Sequence, residues 1–180
     1  DQYLGLGLVP SDKAANLFVA GHLWSSFLVI DRALNKIGIT NLPIGGHSDY
    51  AEMCQYLRAF QPNVLFGIPA TLNGLLHYTL ENNILLRIQK IFYAGEFMTE
   101  AMVRNFKNNW GVQQIHSAGY ASVDAGLIGY QCPAQTGGYH HLFADMLLME
   151  LLDEDGKIVN KNGDEGEIVV TALYRKMMPF

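Results

Sequence analysis

Short apolar runs alternate with amphipathic stretches along residues 14–116, a pattern that predicts strands covered by helices in a mainly parallel sheet. The runs at 14–20, 39–44, 63–68, 88–93 and 112–116 are the predicted strands, and their spacing of about 25 residues suits βαβ units. Between them, Leu23, Phe27, Ile30 and Leu34 recur at helical spacing. So do Tyr50, Met53, Cys54 and Leu57, and then Leu72, Leu75, Leu76 and Leu80, so each set predicts one buried stripe. Ser48 and Asp49 offer amino-terminal caps with Glu52 three residues after Asp49, Pro69 suits a first helical turn, and Gly38 suits a helix end. Beyond Gly126 the rhythm changes: 146–152 and 167–174 read as strands around turn signals at Asp155-Gly156 and Asn162-Gly163. The expected fold class is α/β, a mainly parallel sheet flanked by helices with a β-rich C-terminal segment. Residues 1–125 form the α/β part and 126–180 the β-rich part of one larger domain.

Composition narrows the classes. Of 180 residues, 49% are hydrophobic and 16% charged, which describes a chain that buries a core. A net charge of −5 with no cluster of Lys or Arg gives no footprint for a polyphosphate backbone, so nucleic acid is not an expected partner. The longest apolar runs, such as residues 27–30, are four residues, far below the roughly 20 residues a membrane span needs, so no membrane partner is expected either. Two cysteines, Cys54 and Cys132, argue against a disulfide scaffold and for a reducing, cytoplasmic setting. The chain starts at Asp1 rather than Met, without a leader-like stretch. It ends at Met178-Pro179-Phe180 directly after a predicted strand, so it is expected to be cut from a longer protein.

Most standard motifs are absent. Gly5-Leu6-Gly7 lacks the third glycine and the preceding strand of a dinucleotide fingerprint, and there is neither a Gly-Lys-Ser/Thr phosphate loop nor a nucleophile elbow. The remaining signal is positional, because open α/β sheets bind ligands beyond the carboxyl ends of their strands. The third predicted strand ends at Gly67-Ile68-Pro69-Ala70 and the fourth at Tyr93-Ala94-Gly95-Glu96. The fifth runs out through an irregular loop, His116-Ser117-Ala118-Gly119-Tyr120-Ala121-Ser122-Val123-Asp124. Small residues admit a ligand to the backbone, Tyr120 offers a stacking face, and Glu96 and Asp124 offer oxygens for a hard cation or a hydroxyl. Glu96 has an equal alternative as a cap on the following helix, and Asp124 as a plain turn residue.

These residues carry a resemblance. Phe92-Tyr93-Ala94-Gly95-Glu96 with Met98-Thr99-Glu100, then 120–124, then Gly166-Glu167-Ile168-Val169-Val170-Thr171-Ala172-Leu173, resemble in order and separation the phenylacetate–CoA ligase family of adenylate-forming enzymes. Gly67-Ile68-Pro69-Ala70 is similar to the family's Gly-x-Pro-Ser segment, and His141, Asp145 and Glu150 keep its His-x3-Asp-x4-Glu spacing. The resemblance implies ATP and CoA as cosubstrates, a small carboxylic acid as substrate, and AMP bound by Ala94, Gly95, Glu96, Tyr120, Ala121 and Ser122. It also implies that Asp124 is the catalytic, Mg2+-holding carboxylate. The acid pocket would be lined by Gly67, Ile68, Pro69, Tyr93, Ala94, Ala118 and Gly119, and a homodimer is left open. Ala121 and Val123 depart from the family's Tyr-Gly-x-Thr-Glu, and Val123 removes a hydroxyl that would face phosphate unless Ser122 supplies it. The family's phosphate loop would precede residue 1, and its ribose-binding Asp and catalytic Lys would follow residue 180. This stretch alone is therefore expected to be inactive.

The implied chemistry is attack of a carboxylate on the α-phosphorus of ATP, then displacement of AMP by the CoA thiol. Both halves rest on positioning and charge neutralisation, so no activated nucleophile is required. An acyl-activating enzyme with a protein or amine acceptor, and a non-catalytic nucleotide-binding module on the same scaffold, are the alternatives.

A second constellation, Cys132, His140 and His141 followed by Asp145, contains zinc-ligand types. Some enzymes resembling this family hold zinc in this region, with Cys132 and His141 as the corresponding ligands, against the plainer reading of an unliganded Cys and two loop histidines. Cys54 reads as a core residue, His47 and His77 as capping or surface groups, His116 as a structural or substrate-contact residue at the pocket, and Trp24 and Trp110 as packing residues. Asp153-Glu154-Asp155 reads as a solvated turn.

Overall fold

The computed structural model describes residues 2–47, 49–134 and 137–174. The elements in chain order are α1 (Gln2–Gly5), β1 (Lys13–Asn16), α2 (Ser26–Ile37), β2 (Thr40–Leu42), α3 (Tyr50–Phe60), β3 (Val64–Gly67), α4 (Pro69–Glu81), β4 (Lys90–Tyr93), α5 (Glu100–Trp110) and β5 (Gln114–Ser117). There follow β6 (Tyr120–Ser122), β7 (Gly126–Tyr130), β8 (His141–Leu142), β9 (Leu147–Leu152) and β10 (Glu167–Ala172). Strands β1 to β5 form one parallel sheet in the order β2-β1-β3-β4-β5, while β6-β7-β8 and β9-β10 are separate antiparallel sheets, as the α/β expectation with a β-rich end requires.

Alternation along each strand sends neighbouring side chains to opposite faces. Ala15, Leu65, Ile91 and Tyr93 face α3, α4 and α5, joining Met53, Cys54, Leu57, Leu72, Leu75, Leu76, Phe106 and Trp110 in one core. Ala14, Val64, Phe66 and Phe92 face the other way, meeting Ile30 and Leu34 of α2 and Leu6 and Leu8 of the amino-terminal segment. Both faces are thus covered, the usual condition of a parallel sheet. Phe66 and Phe92 stack at 4.7 Å with Tyr3 edge-on to both.

Helix ends follow the sequence signals. Asp49 accepts from the Glu52 N–H at 3.0 Å and its own N–H donates to His47 Nδ1, so His47 is a capping group as expected. Gly38 closes α2 at φ 84°, donating to the carbonyls of Leu34 and Asn35, and Pro69 opens α4. Ser48, Asp1 and Met178-Pro179-Phe180 lie outside the described residues.

Several expectations need correction. Leu23 is 96% exposed at φ 63°, one of three consecutive left-handed residues before α2, so it lies outside the stripe to which its spacing assigned it. Trp24, in the same turn, is 60% exposed and belongs to neither core cluster among the described residues, whereas Trp110 is buried and donates its ring N–H to Thr79. Leu80 points outward; on the last turn of α4 the buried position is Thr79, whose hydroxyl donates to the Leu76 carbonyl. The first strand is shorter than its apolar run because Asn16 turns the chain, its side chain accepting from the Phe18 N–H and donating to the Phe27 carbonyl, and the second covers only Thr40–Leu42. The helix expected after Glu96 is α5, Glu100–Trp110.

At the amino-terminal edge of the sheet, Asp12 is only 3% exposed and forms an ion pair of 2.6 Å with Lys90. It also accepts from Asn63 and the Val9 N–H, while Asn63 accepts from the Lys13 N–H and Lys90 donates to the Gly7 carbonyl. Burial alone would raise the Asp12 carboxyl, but these hydrogen bonds and the Lys90 charge outweigh it and hold the group below its ordinary 3.8. No helix among the described residues is long and apolar enough to cross a membrane.

Removing one partner of a buried pair leaves an uncompensated charge, so Lys90→Met should lower unfolding stability by about 3 kcal/mol in urea titrations. Because the folded carboxyl titrates below 3.8, the stability it lends is present above that pH and lost as pH falls through the folded midpoint. Asp12→Asn should lose that acid-side decline.

Candidate functional site

Register decides which residues share the carboxyl edge. Gly67 of β3 pairs with Tyr93 of β4, and Tyr93 pairs with Ser117 of β5, so three strands end side by side. Their exits, Ile68-Pro69, Ala94-Gly95-Glu96 and Ala118-Gly119-Tyr120, therefore leave the sheet along one rim. The Ala118 N–H donates to the Tyr93 carbonyl at 2.6 Å. The expected nucleotide and acid residues on these exits are thus brought together.

Two glycines make the convergence possible. Gly95 adopts φ 86°, and a Cβ there would lie 3.1 Å from Ile68 Cγ2, so only glycine lets the β4 exit rest on the β3 exit. Gly119 adopts φ 139°, with Leu127 Cδ2 at 3.3 Å from the place a Cβ would take. Glu96 does act as a cap, but not on the helix that follows it. Its Oε2 accepts from the Ala70 N–H at 2.9 Å, in the first turn of α4, because Thr99 already caps α5 by accepting from the Met102 N–H. The carboxylate therefore clips the β4 exit to the helix that follows β3.

The irregular loop expected after His116 is instead a hairpin. Tyr120, Ala121 and Ser122 are β6, pairing antiparallel with β7 through a register shift between Tyr120 and Ala121. Tyr120 is 40% exposed, and Asp124 sits exposed in the tight turn between the two strands. Ser122 Oγ accepts from the Ala125 N–H at 2.9 Å, which leaves its O–H free to donate.

Behind the rim lies a buried polar cluster that the sequence reading missed. Ser117 and Gln131 are both 3% exposed. Gln131 accepts from the Ser117 N–H at 2.7 Å and donates to the Gly137 carbonyl at 2.6 Å. His140 Nε2 lies 2.8 Å from Ser117 Oγ, which also accepts from the Gly119 N–H at 3.1 Å. The Tyr93 hydroxyl donates to Gly137 at 3.4 Å, and burial raises its pKa. No local pattern marks the cluster, since Ser117 follows Gln114 and His116 in a strand that is itself largely polar. Its partner His140 is 23 positions from Ser117, beyond the reach of local periodicity.

The Cys132–His140–His141 constellation splits. His140 turns to Ser117, while His141 Nε2 lies 3.1 Å from Cys132 Sγ. Among the described residues no three His, Cys, Asp or Glu side chains gather to hold a metal, and this pair supplies two of the four ligands a structural zinc takes. Asp145 is exposed in the turn before β9. Cys54 is a core residue, its thiol raised by burial against the opposing Arg58 charge. His116 pairs across to Phe92, its ring 6.0 Å from that ring and half-buried, and burial holds its pKa below 6.5. A surface groove of about 540 Å3, lined by Leu57, Arg58, Gln61, Arg87 and Gln89, opens at the opposite, amino-terminal edge, away from the rim.

No family model matches the chain. It is 22% identical over 170 residues to the indoleacetate–lysine synthetase of Pseudomonas savastanoi, covering 94% of this chain and 40% of that protein. Its fold is similar to a 2-hydroxyisobutyryl-CoA ligase solved in an open conformation with 2-HIB-AMP and CoA, at TM-score 0.79 and 17% identity over 97% of this chain and 39% of that one. An anthranilate CoA ligase solved with anthranoyl-AMP gives TM-score 0.68 and 18% identity over 93% of this chain and 32% of the other. The chain thus has the fold seen in these CoA ligases, and it spans about two-fifths of the length of the relatives it matches.

Glu96→Ala removes a cap, so it should lower stability by about 1 kcal/mol in denaturant titration. His116 should titrate below 6.5 in an NMR pH series. The stability it lends is full above the unfolded value of 6.5 and falls away as pH drops through the lower folded midpoint, a loss that His116→Gln should lack.

Proposed function

We propose that this chain is the purine- and acid-binding part of an ATP-dependent acid ligase that works through an acyl-adenylate. The observation that carries this reading is the meeting of the three strand exits at one rim, clipped by Glu96 to Ala70. In the proposed complex the partly exposed ring of Tyr120 stacks on adenine, and Ala94, Gly95 and Glu96 border it, with Gly95 allowing close backbone approach. Ala121 and Ser122 lie along the phosphates, where the Ser122 O–H donates in place of the hydroxyl that Val123 lacks. The acid occupies the space along Gly67, Ile68, Pro69, Tyr93, Ala118 and Gly119, whose small or apolar character excludes water from the reacting carboxylate.

The reaction has two halves. A carboxylate oxygen attacks the α-phosphorus of ATP and pyrophosphate leaves; then the acceptor displaces AMP from the mixed anhydride. Asp124, an exposed carboxylate on the hairpin turn, is the group of this chain suited to hold magnesium, which tolerates one or two carboxylates with waters and supplies charge neutralisation to the phosphates. The finer likeness to phenylacetate–CoA ligases rests on the motifs at 92–100, 120–124 and 166–173. CoA as acceptor is supported by the CoA ligases among the similar folds. An amine acceptor is the second reading, favoured by the relative named for joining indoleacetate and lysine.

ATP–pyrophosphate exchange by the intact protein tests this directly. Exchange should depend on a carboxylic acid, and Tyr120→Ala should raise KM for ATP by about tenfold, within the range of a lost base–aromatic stack. Nucleotide binding without exchange for any acid would instead indicate a non-catalytic module. Product analysis with CoA and with free lysine as competing acceptors separates the two enzymes.

A further inference from the structure

His140 sits where two observations meet. Its Nδ1 lies 2.9 Å from the Gly138 carbonyl, which can only accept, so Nδ1 carries the hydrogen and Nε2 is left as an acceptor. At 2.8 Å from Nε2, Ser117 Oγ already accepts from the Gly119 N–H, so the Ser117 hydroxyl hydrogen is the one that points at the imidazole. The three bonds thus run in one direction without conflict, from the Gly119 N–H through Ser117 and His140 to Gly138. Ser117 is buried, and Gly119 immediately precedes Tyr120 in the unusual φ 139° conformation. The imidazole also faces Tyr120, with ring centroids 6.0 Å apart at 43°. The two rings are thus neighbours, tilted rather than stacked.

We propose that His140 is a positioning residue for the nucleotide. Through Ser117 it fixes the Gly119 backbone that delivers Tyr120, and through its ring it borders the Tyr120 platform that meets the purine. The inference rests on the functional reading above and adds to it a residue that does not itself touch the ligand. His140 and Gln131 both bond Ser117 at the end of β5, while Gln131 and Tyr93 both donate to the Gly137 carbonyl, so the buried polar groups there are partnered.

The test is a double-mutant cycle on AMP affinity in the intact protein, read by titration calorimetry. Ser117→Ala removes the hydroxyl, and His140→Phe keeps a ring against Tyr120 but removes the acceptor. Each should weaken AMP binding by about fivefold, the change that loss of one neutral hydrogen bond brings. The double variant should be no weaker than either single one, because the two groups act as one unit. A long-range 1H–15N spectrum should show His140 protonated at Nδ1, and His140→Gln, which keeps an acceptor near the Nε2 position, should recover part of the affinity lost in His140→Phe. Variants that melt earlier yet bind AMP within twofold of wild type would reduce His140 to a structural role and overturn the proposal alone, as would fully additive losses. A wild-type protein that does not bind AMP would overturn the proposal and the functional reading together.

Discussion

The structure depends on the alignment of three parallel strands. Hydrogen bonding between β3, β4 and β5 leaves no freedom in where they end: Gly67, Tyr93 and Ser117 lie in one row, and whatever follows each must leave from the same rim. A slip of one residue would turn every side chain to the wrong face, exchanging Phe66 and Phe92 for Leu65 and Ile91 in the two cores. The row is pinned from its far side, where Asp12, Asn63 and Lys90 tie the starts of β1, β3 and β4 into one buried polar knot. Anchoring at one edge and convergence at the other are consequences of the same register.

That arrangement suits a reaction that asks for geometry more than for an activated side chain. Acyl activation needs a nucleotide and a carboxylate held in line with charge neutralised around the phosphates. The described rim offers a partly exposed aromatic ring, two glycines where backbone comes close, an exposed carboxylate and a serine with a free donor. The Ser117–His140 contact resembles half of a hydrolase triad, but Ser117 is buried and the imidazole is oriented by a backbone carbonyl rather than a carboxylate. Its geometry is that of a pair that orients the rim backbone rather than one that activates a nucleophile.

Much of this was legible in the sequence, and the rest was hidden for definite reasons. The five parallel strands and helices α2, α3 and α4 were readable because apolar runs and stripes report burial on one or two faces, and because Asp49, Gly38 and Pro69 mark ends by local chemistry. Helix α5, the helix expected after Glu96, carries the same signal in Met102, Val103, Phe106 and Trp110. Leu23 and Trp24 are hydrophobic without being buried, because the three left-handed residues Gly21, His22 and Leu23 turn the chain outward before α2. The β6–β7 hairpin has no signature in the sequence because β6 is only three residues long with every one on the exposed side, which leaves no alternation to detect. Glu96 could be recognised as a cap but not assigned to its helix, since its partner Ala70 lies 26 positions away, and the Ser117–His140 pairing was closed to sequence reading on the same ground.

The central claim is that a purine nucleotide lies on the rim formed by the exits of β3, β4 and β5. Photolabelling of the intact protein with 8-azido-ATP, followed by peptide mapping, tests it most directly. Covalent label should fall within residues 93–97 and 117–124 and be displaced by unlabelled ATP. Displaceable label confined to the opposite groove at Arg58 and Arg87, or none at all, would contradict it.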